Sequence, residues 1–205
     1  QRIITWVLSV IGGMRGSLPL TTVGTCTIFG AISGSSPATV AAVGRLMYPP
    51  LREKGYNEKF STGVLTSSGA IAIVIPPSIS MILYGASAEQ SVSLLFIAGV
   101  FPGLLMSLLM GLYIYWYAAR RDIREGQPFR WRPFLQASKA GVWALGTPVI
   151  ILGGIYAGIF SPTEAAGIAC VYAILVTKFV YGDISWKGLW DVSVSSMLSL
   201  IHISE

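Results

Sequence analysis

Charge is what this sequence of 205 residues has least of. Asp, Glu, Lys and Arg together make up 11% of it, against roughly a quarter in a soluble domain. Hydrophobic residues make up 53% and the mean hydropathy is +0.67, so the default solvent is the bilayer. Histidine is almost absent: His202 stands alone, and no His or Lys interrupts a long apolar run to serve as a base. That counts against an intramembrane serine protease, although Gly34-Ser35-Ser36 superficially resembles a nucleophile turn. A glycine-rich phosphate loop ending in Lys-Ser or Lys-Thr is also missing, which leaves an ATP-driven pump unsupported. Cys26 and Cys170 sit inside apolar runs and read as small buried hydrophobes, not as a disulfide or a metal pair. The net charge of +5 resides between apolar spans, where it signals topology and not nucleic-acid binding.

Five stretches carry no charge: Gly16–Gly44, Ser61–Ala88, Gln90–Ala119, Ala140–Thr163 and Ala165–Thr177. Four are long enough to cross about 30 Å of hydrocarbon as helix, and the fifth reaches that length if Lys178 snorkels and 179–181 are counted. Residues 183–204 read as a headgroup-level start, with Trp186 and Trp190 in the aromatic belt, followed by a further span. An all-α integral membrane protein is expected, a multi-span helical bundle. Both ends read as cut from something longer, and the closing Leu200–Glu205 (LIHISE) is set aside as sequence whose native origin is not established.

The basic residues cluster in two loops. Arg45, Arg52, Lys54 and Lys59 lie in the first; Arg120, Arg121, Arg124, Arg130, Arg132 and Lys139 lie in the second. Two crossings separate them, so both fall on one side, the cytoplasmic one. A simple span at Gly16–Gly44 would put Arg2 and Arg15 on the wrong face; a re-entrant hairpin removes the conflict. Its middle, Ser33-Gly34-Ser35-Ser36-Pro37, supports the hairpin: one half-helix ends near Ser33, and Ser36-Pro37 supplies an N-cap with Pro at the first helical position. Two further breaks are expected, at Thr66-Ser67-Ser68-Gly69 and at Pro76-Pro77-Ser78, where consecutive prolines delete two backbone donors. Irregular backbone at membrane depth persists where protein buries it or where it lines a cavity. Neighbouring broken elements therefore point to a midplane binding site of the secondary-transporter type.

Three blocks carry a resemblance: FGAISGSSPATVAAVGRLMYPPLREKGY (29–56), TSSGAIAIVIPPSISMILYGASAEQSVSLLFIAGVFPGLL (66–105) and GGIYAGIFSPTEAAGIACVYAIL (153–175). In this order they closely resemble the large membrane subunit of the tripartite ATP-independent periplasmic (TRAP) transporters, dicarboxylate type. The resemblance implies half of an elevator-type, sodium-driven symporter in a bacterial or archaeal inner membrane. It implies a small membrane subunit and a periplasmic substrate-binding protein as partners, and a small organic acid such as a C4-dicarboxylate or sialic acid as cargo. Residues 1–88 would form the first hairpin and broken span of the transport domain. Residues 89–140 would form a span and basic cytoplasmic loop, and 141–205 further spans. Where the family often carries an Ala-Ser-Gly-Gly type sequence, this chain has Ser67-Ser68-Gly69-Ala70, one position less free in its backbone.

Substrate is expected at Ser36, Pro37, Thr39, Pro76, Pro77 and Ser78, because a half-helix N-terminus favours a carboxylate without a buried Arg. No Asp or Glu occurs in Gly16–Gly44 or Ser61–Ala88, which disfavours a divalent ion or a proton-carrying carboxylate there. Neutral oxygens remain, at Ser33, Gly34, Ser35, Thr66, Ser67, Ser68 and Gly69, and they suit sodium as coupling ion; no other cofactor is expected. A passive channel or a structural scaffold is the alternative that the sequence separates least well. Other features read as structural: Ser161-Pro162-Thr163-Glu164 as a capping box, and Gly99/Gly103 and Gly154/Gly158 as close-packing pairs.

Overall fold

The computed structural model describes residues 2–121 and 130–203, with side chains through Met197. Arg124 of the second basic loop and the end of the LIHISE segment lie outside the described residues. Every regular element among those described is helical: α1 (Arg2–Ile11), α2 (Ser17–Ser33), α3 (Ser36–Glu53), α4 (Glu58–Val74), α5 (Ile79–Ser87), α6 (Val92–Arg120), α7 (Trp131–Tyr156), α8 (Pro162–Leu175) and α9 (Trp186–Ile203). A π-helical turn, Val176–Val180, extends α8. By length and composition α6, α7 and α8 with its extension can each cross a membrane, and α4 and α5 can do so as one span bent by 41°.

The boundaries follow local chemistry. Gly34 ends α2 in the left-handed region, φ 62°, with its N–H donated to the Gly30 carbonyl at 2.7 Å, the usual glycine stop. Asn57 caps α4 by accepting from the Phe60 N–H at 2.7 Å. Ser161 and Glu164 form the expected capping box, with Pro162 in the first turn. α7 begins earlier than the uncharged stretch suggests: Arg132 and Lys139 lie on the helix and not in a loop, their long stems letting the charges sit at its end.

α2 and α3 fold back on one another, because Cys26 packs against Val43 and Met47. Both arms return to one end of the bundle, where Gly16 lies beside Ala118 and Tyr56 stacks on Phe60, which stacks on Tyr117 at 4.0 Å. The first basic loop and the described start of the second, at Arg120 and Arg121, thus share an end, as the charge pattern requires. Thr27 and Ser107 join hydroxyls at 2.9 Å between α2 and α6, and a separate cluster of Phe96, Ile151, Ile155 and Ala165 holds α6 to α7 and α8. Arg2 ties α1 to the far end of the chain through Asp183 at 2.6 Å and the Tyr181 ring at 3.6 Å.

Three expectations are corrected. α4 runs unbroken through Thr66-Ser67-Ser68-Gly69; the hydroxyls of Thr66 and Ser68 bond back to the carbonyls of Thr62 and Val64, so these residues fit a helix without opening it. Gly99 and Gly103 do receive neighbours, the Val74 carbonyl and Ile75 respectively, but Gly158 is a turn residue with φ 69° and open space around it. Cys26 is buried, whereas Cys170 is exposed; both are free thiols.

α2 approaches α4 closely at Gly30, where an added Cβ would fall 2.7 Å from the Ala72 Cα. Gly30→Ala should therefore lower the thermal midpoint of the purified complete permease by the equivalent of about 1–3 kcal/mol. Gly63→Ala, with nothing within 4 Å of the new carbon, should leave it unchanged or raise it. Equal shifts in a thermal-unfolding assay would refute this packing.

Candidate functional site

The hairpin tip meets the proline break. The Gly34 carbonyl accepts from the Ile79 N–H at 3.3 Å, and a Cβ on Gly34 would lie 2.7 Å from the Pro77 carbonyl oxygen. Only glycine fits here, for two reasons: positive φ and lack of space. Slightly deeper, Gly69 lies under the first turn of α3 and against Val40; a Cβ added to it would sit 3.5 Å from the Ser36 hydroxyl oxygen. Ser33, Gly34, Ser35, Ser36, Gly69, Pro77 and Ser78 thus come together at one locus.

Two half-helices begin at this locus in almost the same way. Ser35 precedes α3 with φ −128°, ψ 123°, and Ser78 precedes α5 with φ −127°, ψ 130°. The cap is Ser35, one residue before the expected Ser36, so Ser36 and Pro37 form the first turn. Neither serine makes a side-chain cap hydrogen bond, although Asn57, Ser91 and Ser161 all do so in this chain. Ser78 is fully buried with its hydroxyl unpartnered. A buried hydroxyl without a partner costs about 1–3 kcal/mol, a cost that Ser78 carries, and the half-buried Ser35 places a second uncommitted hydroxyl at the adjoining helix start.

Backbone groups add to the set. Pro76 and Pro77 have no N–H, so the carbonyls of Ala72 and Ile73 lose the donors that a continuing helix would give them. On the donor side, the Ser36, Ala38, Ser80 and Met81 N–H groups fall in first helical turns, where no intrahelical acceptor exists. The locus therefore offers carbonyl and hydroxyl oxygens on one side and helix N-termini on the other, with no ionised side chain.

Other expected residues lie elsewhere or are already committed. The Thr39 hydroxyl is buried and donates to the Ser35 carbonyl at 2.8 Å, which makes it a support for the tip. Pro37 is exposed, and so are Thr66 and Ser67 on the opposite face of α4; Ser68 is buried beside them but spends its hydroxyl within the helix. Sequence reasoning missed Gly30, whose contact with Ala72 sets the depth of the tip, and Thr21 and Thr25, whose hydroxyls are buried and unpartnered on α2. Glycine one turn before a helix end was the available signal for the first; nothing in the sequence marked the threonines.

A cavity of about 260 Å3 adjoins the tip, with Ser33, Gly34 and Ser78 on one wall and Ile151, Ile155 and Ala166 of α7 and α8 on the other. The family described as the tripartite ATP-independent periplasmic transporter, DctM component, matches residues 1–204. The chain is 44% identical over 184 residues to the C4-dicarboxylate TRAP transporter large permease protein DctM of Vibrio cholerae, covering 89% of this chain and 40% of the relative. It is 40% identical over 197 residues to the ectoine/5-hydroxyectoine large permease protein UehC of Ruegeria pomeroyi, covering 96% and 46%. With the sialic acid permease protein SiaT of Haemophilus influenzae the identity is 34%, covering 96% and 32%. The chain thus spans 32–46% of the length of these relatives. With unbroken coverage and a helical bundle built to cross a membrane, the chain belongs to the DctM component family of the tripartite ATP-independent periplasmic transporters.

Proposed function

We propose that this chain supplies one half of the site in a permease subunit that imports a small organic anion together with sodium. The observation that carries the reading is the pair of uncommitted serine caps, Ser35 and Ser78, at two helix starts that touch each other. Sodium takes neutral oxygens: the Ser33, Ser35 and Ser78 hydroxyls, with carbonyls of the tip and of the end of α4. With α4 unbroken at Thr66-Ser67-Ser68-Gly69, the proposed ion site draws on Ala72, Ile73 and the tip instead; Gly69 contributes the close approach that lets Ser36 pack down. The anion's carboxylate takes the first-turn N–H groups of α3 and α5, those of Ser36, Ala38, Ser80 and Met81 beside Pro37 and Ser78, where the half-helix dipoles favour negative charge. Cation and carboxylate side by side neutralise one another, which couples their binding.

The hairpin enters and leaves from the cytoplasmic side, with Arg2, Arg15, Arg45 and Arg52 at that surface. Hairpin and broken helix are too closely fitted at Gly30, Gly34 and Gly69 to slide separately, so they move as one body in an elevator-type cycle. Cargo arrives on a periplasmic binding protein, and a small membrane subunit completes the complex in the inner membrane. The relatives named for different cargoes share this segment at 34–44% identity, which fits a tip that grips a common acidic group while other parts select the remainder.

Cysteines at positions 2 and 52 should label from the same face of the membrane; labelling from opposite faces would end the re-entrant reading. In proteoliposomes of the complete complex, uptake should need an inward sodium gradient. Ser35→Ala and Ser78→Ala should each raise the sodium concentration for half-maximal uptake without the loss of stability that removing a working cap brings, and Ser78→Ala, which deletes a buried unpartnered hydroxyl, should raise the thermal midpoint. Undiminished uptake in sodium-free buffer under a pH gradient alone would reject sodium.

A further inference from the structure

Away from the breaks, a groove of about 420 Å3 runs between α4 and α6. One wall is Lys59, Gly63 and Ser67, four residues apart and so a single stripe along α4; Leu109 and Tyr113 of α6 face it. Gly63 leaves the floor open, since an added Cβ meets nothing within 4 Å. Apart from the hydroxyls of Ser67 and Tyr113, the lining is apolar up to its basic end. There Lys59 sits in the first turn of α4, and Arg121 lies 4.6 Å over the Tyr117 ring that stacks on Phe60. Arg120 lies 4.3 Å over Trp116 nearby. Glu58 is a residue away, about 100° round the helix, and does not line the groove.

We infer that this groove binds an anionic phospholipid of the leaflet that meets the basic end, with its phosphate at Lys59 and Arg121 and one acyl chain along Gly63 and Ser67. Charge complementarity selects the occupant. Two cations with aromatic rings mark the headgroup level, and the stripe from Lys59 to Ser67 runs about 12 Å, within the roughly 15 Å of hydrocarbon in one leaflet. The surface is separate from the tip: Ser67, expected at the ion site, faces this groove instead. A bound lipid there would brace α6 against the unit that carries the hairpin.

The test is native mass spectrometry of the complete permease titrated with phosphatidylglycerol and phosphatidylethanolamine. Lys59→Gln should weaken phosphatidylglycerol binding about fivefold and leave phosphatidylethanolamine unchanged, Lys59→Arg should restore it, and Gly63→Leu should remove one bound lipid of either kind. Wild-type lipid retention in both Lys59→Gln and Gly63→Leu overturns the proposal. As an independent arm, Gly63→Cys in liposomes should react with a lipid-soluble maleimide. Protection that is lost only on denaturation means that a polypeptide covers the groove, which also overturns it.

Discussion

The fit of Gly34 against Pro77 and Ile79 is the constraint on which the rest of the bundle depends. A helix that stops inside hydrocarbon leaves backbone donors and acceptors without partners, each costing several kcal/mol. Here two interrupted elements stop at the same depth and answer one another: the carbonyl that α2 cannot use takes the N–H that α5 cannot place. That exchange needs backbones in contact, hence glycine at position 34, and it is held in register by Gly30 on Ala72 and Gly69 under α3. Only part of the demand is met internally. The remainder, uncapped serines and proline-orphaned carbonyls, is the basis of the ion and anion site we propose.

The unbroken α4 sharpens this view. Had the helix opened at Thr66–Gly69, a second set of orphaned groups would lie several ångströms below the first. Instead the hydroxyls of Thr66 and Ser68 are absorbed by the helix's own carbonyls, and the polar demand is concentrated at a single level. Small polar residues in a membrane helix thus have two opposite uses, as backbone partners within it or as uncommitted donors at its ends, and their position relative to a proline or glycine decides which.

The basic end has a different physics. Aromatic rings from α4 and α6 stack on one another and carry the arginines that close α6, so the positive charge is fixed in place on rigid supports.

Much of this was legible in the sequence because hydrocarbon is an unforgiving solvent. Long uncharged runs had to be helices, basic loops had to share a side, and Gly34 and Pro76-Pro77 were readable as breaks from their own chemistry, although an equal pair, Pro49-Pro50, sits inside α3 without ending it. The capping box at Ser161 was equally local, and therefore equally readable. What the sequence left undecided depended on partners far along the chain. Whether Thr66–Gly69 opens or stays helical, whether Ser35 or Ser36 caps, and whether Gly158 packs or merely turns are settled by which neighbour arrives, since small residues permit each alternative at similar local cost. Tertiary structure alone brought the tip to the proline break, because that meeting is a property of two helix lengths and one close approach, and no single segment encodes it.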